Sequence, residues 1–160
     1  MKYKSIVLMP ILTLALTAIP TISNAHCEIP CGIYDDAMRF DMLAEHITTI
    51  EKSMNEINRL SDEGAKNYNQ LVRWIVNKEN HADKFIDIIT QYFMTQRIKP
   101  AVPDSADKYA DYQKSLELTH RMIVTAMKCK QTTDLNNTEE LSELLAAYRM
   151  HYFKDHGHEH

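Results

Sequence analysis

The densest chemistry in the chain lies in nine consecutive residues, His26-Cys27-Glu28-Ile29-Pro30-Cys31-Gly32-Ile33-Tyr34. A histidine is followed by two thiols, and Pro30 and Gly32 favour a turn by fixed and by free φ respectively. If His26 begins the mature chain, its α-amine, with a pKa of about 8, can bind a metal once deprotonated. That amine and the Cys27 backbone nitrogen close one five-membered chelate ring. The same nitrogen and the Cys27 thiolate close a second, Cys31 adds another thiolate, and the His26 imidazole reaches above the plane. Two nitrogens and two sulfurs in a square favour nickel(II) or copper(II) over tetrahedral zinc. Thiolates and a deprotonated amide also stabilise a higher oxidation state, so nickel held this way can cycle between its divalent and trivalent forms.

Everything depends on a free amine at His26, and the preceding segment reads as the means of exposing it. Lys2 and Lys4 precede the apolar run SIVLMPILTLALTAI, Pro20 breaks it, and Ser23 and Ala25 are small residues suited to signal peptidase. The run is short of the roughly 20 residues that span a bilayer. His26 before Cys27 argues against a lipoprotein, and no twin arginine is present. Cleavage between Ala25 and His26 is therefore expected, with a periplasmic or secreted product and no membrane attachment afterwards.

The elements that must position the hook are helical. Phe40, Leu43, Ile47, Ile50, Met54 and Ile57 recur at steps of three and four, the seam of a bundle. Asp35 or Asp36 can cap this helix, and Gly64 follows its end. A second helix is expected from about Lys66 to Arg97, burying Leu71, Ile75, Ala82, Phe85, Ile89 and Phe93, with Pro100 and Pro103 beyond it. A third is expected from about Ser105 to Lys130, with Tyr109, Tyr112, Leu116, Ile123 and Ala126 on one side. Asn137 and Glu140 resemble a capping box for a fourth, which buries Leu141, Leu144, Leu145 and Tyr148. The fold class is thus all-α, an up-down-up-down four-helix bundle with an irregular amino-terminal hook. Four segments follow: 1–25 leader, 26–34 hook, 35–153 bundle, 154–160 His-rich tail.

Composition agrees with one soluble domain, 44% hydrophobic and 25% charged with three glycines. The net charge is −4, and the body is two units more negative because Lys2 and Lys4 leave with the leader, which argues against nucleic-acid binding. The nine methionines and Trp74 read as core filler. Cys129 reads as a small buried residue, and His46 and His120 as ordinary surface or hydrogen-bonded histidines. Four histidines crowd the last ten residues and could collect divalent metal.

The segment HCEIPCGIYDD resembles the amino-terminal hook of the nickel-containing superoxide dismutases, His-Cys-x-x-Pro-Cys-Gly-x-Tyr, at all six fixed positions. The likeness continues through NQLVRWIVNKENHAD and TQYFMTQRIKP and covers about residues 26–154. It implies disproportionation of superoxide to dioxygen and hydrogen peroxide, one nickel ion per subunit, and a homohexamer. It also implies roles. His26 gives its amine and an axial imidazole, Cys27 its backbone nitrogen and thiolate, and Cys31 the second thiolate. Tyr34 guards the open face, and Tyr92 resembles the family's second gating tyrosine. Behind the ligands stand Glu28, Asp41 and His81. Asp41 corresponds to the acid that steadies the axial imidazole if one residue is missing from the first helix, and His81 occupies the place of the arginine that pairs with that acid. The alternatives are a non-catalytic periplasmic nickel-buffering bundle and a structural protein with a Cys27–Cys31 disulfide.

Overall fold

A computed structural model describes residues 35–156. Helix α1 spans Asp36–Asp62, and its start is fixed by the Asp35 side chain, which accepts the Met38 N–H at 2.9 Å. It ends against Gly64, whose φ of 74° and ψ of −161° lie in a region open essentially to glycine alone. A single 3-10 turn, Ala65–Asn67, leads into α2 at Tyr68–Asp87. The helix then continues without a break as a π-helix, Ile88–Arg97. Helix α3 spans Ala106–Gln131 and α4 spans Asn136–His156. Each helix packs on its neighbour in the chain, and α4 closes back on α1, which gives the up-down-up-down bundle. No helix among the described residues is long and apolar enough to cross a membrane.

The α1 seam is buried as expected, Phe40 to Ile57, and Leu60 extends it. In α2 only the later part of the expected stripe enters the core: Ala82, Phe85, Ile89 and Phe93 are buried, Leu71 is half-buried and Ile75 exposed. The reason is length. Lys78 already meets the carboxyl end of α3, so the residues before it run past that end, where Trp74 and Asn77 meet Lys52 and Ser53 of α1. In α3 the buried face is Ser115, Leu118, Thr119, Met122, Thr125, Ala126 and Cys129. Of the expected side, Ala126 is buried and Ile123 packs against the core, but Tyr109, Tyr112 and Leu116 are only half-buried, because the buried face is rotated from that side. The polar members of the buried face are tolerated because a hydroxyl can bond its own helix, as Thr119 Oγ1 does to the Ser115 carbonyl at 2.8 Å. The cap of α4 is also displaced. Asp134 Oδ1 accepts the Asn136 N–H at 3.0 Å, and Asn137 lies inside the first turn. Of the methionines, Met54 and Met122 are core, whereas Met38, Met127 and Met150 are exposed; Trp74 is half-buried beside Lys52.

The end of the bundle where α1 begins is aromatic. Phe40 stands within 4.8 Å of Phe93 and 5.5 Å of both Tyr148 and Tyr152, measured between ring centroids. Tilted and edge-on contacts of this kind add to the burial of the rings themselves. A rigid floor therefore lies directly after the hook in sequence.

Candidate metal-centre region

The hook residues His26, Cys27, Glu28, Cys31 and Tyr34 lie outside the described residues. What is described is the surface where the chain emerges from them, beginning at Asp35.

Asp36 is the hub of that surface. Its Oδ1 accepts a hydrogen bond from the Tyr92 hydroxyl. Its Oδ2 accepts from the Tyr152 hydroxyl at 2.7 Å and from Arg97 Nη2 at 2.6 Å. Arg97 Nε in turn donates to the Tyr152 oxygen at 2.8 Å. Three helical segments thus converge on one carboxylate, α1 through Asp36, the π-helix through Tyr92 and Arg97, and α4 through Tyr152. Burial alone would raise the Asp36 pKa; the two hydroxyls and the guanidinium together outweigh it and hold the carboxyl below its ordinary value. Burial, reinforced by the Asp36 charge, pushes the Tyr92 and Tyr152 phenols far above theirs, so both stay protonated donors.

The π-helix is what lets Tyr92 and Arg97 share a partner. In an α-helix, residues five apart point about 140° away from each other. A π turn closes hydrogen bonds between residues five apart and brings them onto one side. The same period appears in side chains, with Thr95 Oγ1 donating to the Thr90 carbonyl at 2.7 Å and Gln96 Nε2 to the Gln91 carbonyl at 3.0 Å.

Arg39 completes this floor. Its guanidinium carbon lies 4.8 Å from the centroid of the Tyr92 ring. Beyond Tyr152 and Arg97 opens a cavity of about 670 Å³ between the 98–101 loop and α3, lined also by Lys99, Lys108 and Asp111. There His151 Nε2 meets both Ser115 Oγ at 3.1 Å and Asp111 Oδ1 at 2.9 Å. A nucleophilic relay needs the acid and the hydroxyl on opposite ring nitrogens, so this trio is no such relay.

Of the residues expected behind the ligands, Asp41 and His81 do not meet. Asp41 pairs with Arg149 at 2.8 Å. His81 Nδ1 lies 3.1 Å from His46 Nδ1 across the α1–α2 contact. One ring must carry the shared proton and the other must accept it. Burial first, and then Lys84, hold the His81 imidazole below its usual range; at His46 burial and the neighbouring His81 and Lys84 do the same against a weaker opposing pull from Glu45. His120 is exposed. Cys129 is fully buried and its thiol is pushed up to about 11 by that burial, which removes it from redox chemistry at neutral pH.

Sequence reasoning picked out Tyr92 but gave no role to Arg97 or Tyr152, and saw in Asp36 only a possible cap. The fragment TQYFMTQRIKP contains Tyr92 and Arg97 together, but nothing in it announces a π turn.

A family model described as nickel-containing superoxide dismutase matches residues 21–156. No curated protein and no solved structure matches the chain.

Proposed function

This chain belongs to the nickel-containing superoxide dismutase family, and from that premise we propose that it holds its nickel in the segment His26–Cys31, exposed by removal of residues 1–25. It is an oxidoreductase that uses nickel and acts on superoxide. The observation that carries the proposed site is a donor set. Among the described residues, no three histidine, cysteine or acidic side chains come together to hold a metal. The His26 amine, the Cys27 amide and thiolate and the Cys31 thiolate supply what a square-planar nickel ion requires. Nickel so held can alternate between its divalent and trivalent states, so that two superoxides and two protons become dioxygen and hydrogen peroxide.

The chain's own residues do the rest. The His26 imidazole would be a further ligand to the nickel, and Tyr34 would guard its approach. Tyr92 is the second tyrosine assigned to that approach, and its hydroxyl is held by Asp36, so its orientation is fixed before substrate arrives. Asp41 would be the acid that steadies the imidazole, with Glu28 as a further acid close to His26 in sequence. An arginine does accompany Asp41, but it comes from α4, as Arg149, and His81 is engaged by His46 instead.

The mature protein is proposed to work in the periplasm or outside the cell, as a homohexamer with one nickel per subunit. The overhanging part of α2 offers a contact surface: Tyr68, Val72, Ile75 and Val76 are all exposed and lie on one helical face.

Amino-terminal sequencing and metal analysis of the mature protein test the site directly, with His26 first and one nickel per subunit expected. Cys27→Ser and Cys31→Ser should each abolish nickel binding and superoxide removal while the helical circular dichroism is kept. One residue added before His26 displaces the amine, and full activity in that form would end the proposal. One nickel per subunit without superoxide removal would favour a nickel-buffering protein.

A further inference from the structure

We propose that His46 and His81 form a second metal site, which takes a divalent transition-metal ion such as zinc and ties α1 to α2. The two imidazoles come from neighbouring antiparallel helices, and their Nδ1 atoms stand 3.1 Å apart. Two nitrogens that bind one ion side by side, each at about 2.0–2.1 Å, lie roughly 2.9–3.4 Å from one another. The spacing is already that of a chelate. The rings meet obliquely, at 77° with centroids 5.0 Å apart, as neighbouring ligands of one ion do.

The surroundings suit such an ion. His46 is buried and His81 half-buried, but the flanking Glu45 and Lys84 are exposed, so the pair lies near solvent at the edge of the α1–α2 contact. Lys84 acts on both rings as a positive charge, and Glu45 partly offsets it. Burial, ahead of these charges, holds both imidazoles below their usual range, so at neutral pH neither ring has to shed a charge before it binds. The one proton shared between the Nδ1 atoms moves to Nε2 of its own ring, where no described residue forms a hydrogen bond. Both Nδ1 lone pairs then face the ion. Two side chains converge here, so water fills the remaining positions and binding is weaker than in a closed site of four protein ligands. Imidazole suits zinc, copper and nickel alike, and zinc imposes no geometry of its own. His46 lies ten residues beyond Asp36, about 15 Å along the helix. An ion there acts on the bundle and is independent of the hook. Because it binds only when the two helices are docked, it stabilises the fold by mass action.

The test uses the mature nickel protein and two variants, His46→Gln and His81→Gln, each dialysed against micromolar zinc chloride. The parent should hold one zinc per subunit more than either variant. Zinc taken up by hook thiols or tail histidines is common to all three proteins and cancels in the comparison. Zinc should also raise the melting temperature of the parent by several degrees and leave those of both variants unmoved. If glutamine at either position prevents folding, the parent alone decides. Its histidine nitrogen-15 resonances should show zinc on Nδ1 of both His46 and His81, with the proton of each ring on Nε2. Equal zinc content in the three proteins overturns the proposal, as do Nδ1 resonances of His46 and His81 that zinc leaves in place.

Discussion

The two ends of the bundle each bury a charge, and they do so for different reasons. At one end the Lys78 ammonium donates to the Cys129 carbonyl at 2.7 Å, to the Lys130 carbonyl and to the Thr132 carbonyl at 3.4 Å, with the partly exposed Glu79 carboxylate 3.1 Å away as its one side-chain partner among the described residues. These carbonyls are the last of α3 and the residue beyond it, which have no partners within the helix, and they carry the negative end of its dipole. Lys78 thus meets a need that any helix creates. At the other end Asp36 is met by Tyr92, Arg97 and Tyr152, side chains that had to be chosen one by one. A helix start needs a cap, and Asp35 already provides it. The Asp36 assembly therefore exceeds what the fold requires, and it stands where the chain enters the hook. A charge met mostly by main chain, as Lys78 is, marks structure; a charge met wholly by side chains from two other helical segments marks a place where position matters for something else.

Three changes sharpen that contrast. The largest loss of stability is expected from Lys78→Met, about 3 kcal/mol in urea unfolding, because several buried carbonyls lose their donor together. The folded fraction should keep its activity per nickel. Asp36→Asn should cost about 2 kcal/mol by leaving Arg97 without its counter-charge, and here activity should fall as well, since Tyr92 loses its anchor. This variant also tests the acid limb. The Asp36 carboxyl sits below its ordinary 3.8 in the fold, so its contribution is complete above about pH 4 and is lost as pH falls through the folded pKa. D36N should therefore lose less stability than the parent on acidification from pH 5 to pH 2. The smallest effect belongs to the histidine pair. Both imidazoles are depressed in the fold, so the unfolded chain takes up protons first, and stability present above about pH 6.5 is lost as the pH falls below it. His46→Gln should flatten the melting temperature between pH 7 and pH 5; an unaltered slope would show that the pair is not what responds.

The proposed hook is suggested by sequence alone because its chemistry is contiguous: the amine, amide and first thiolate would all come from His26 and Cys27. The α1 seam could be read because its buried positions are apolar apart from His46 and Ser53. The α3 face could not, since Ser115, Thr119 and Thr125 occupy core positions and look like surface. The Asp36 assembly was out of reach for a different reason. Its members are drawn from positions 36, 92, 97 and 152, and two of them align only in a π turn. A period of five is not among the patterns that apolar residues write into a sequence. The overhang of α2 was hidden too, because it depends on where α3 stops.

The π-helix has a genetic consequence. Such a segment is an α-helix that has taken in extra length, and it persists where that length is used. Deleting one codon between Ile88 and Arg97 would allow the chain to close as an ordinary helix. Everything beyond the deletion would then turn by about 100°, so a loss between Phe93 and Gln96 would swing Arg97 off Asp36 while Tyr92 stayed. Substitution at any single position here removes one contact; loss of a single residue would rephase the whole segment. In this stretch, chain length decides the contacts as much as residue identity does.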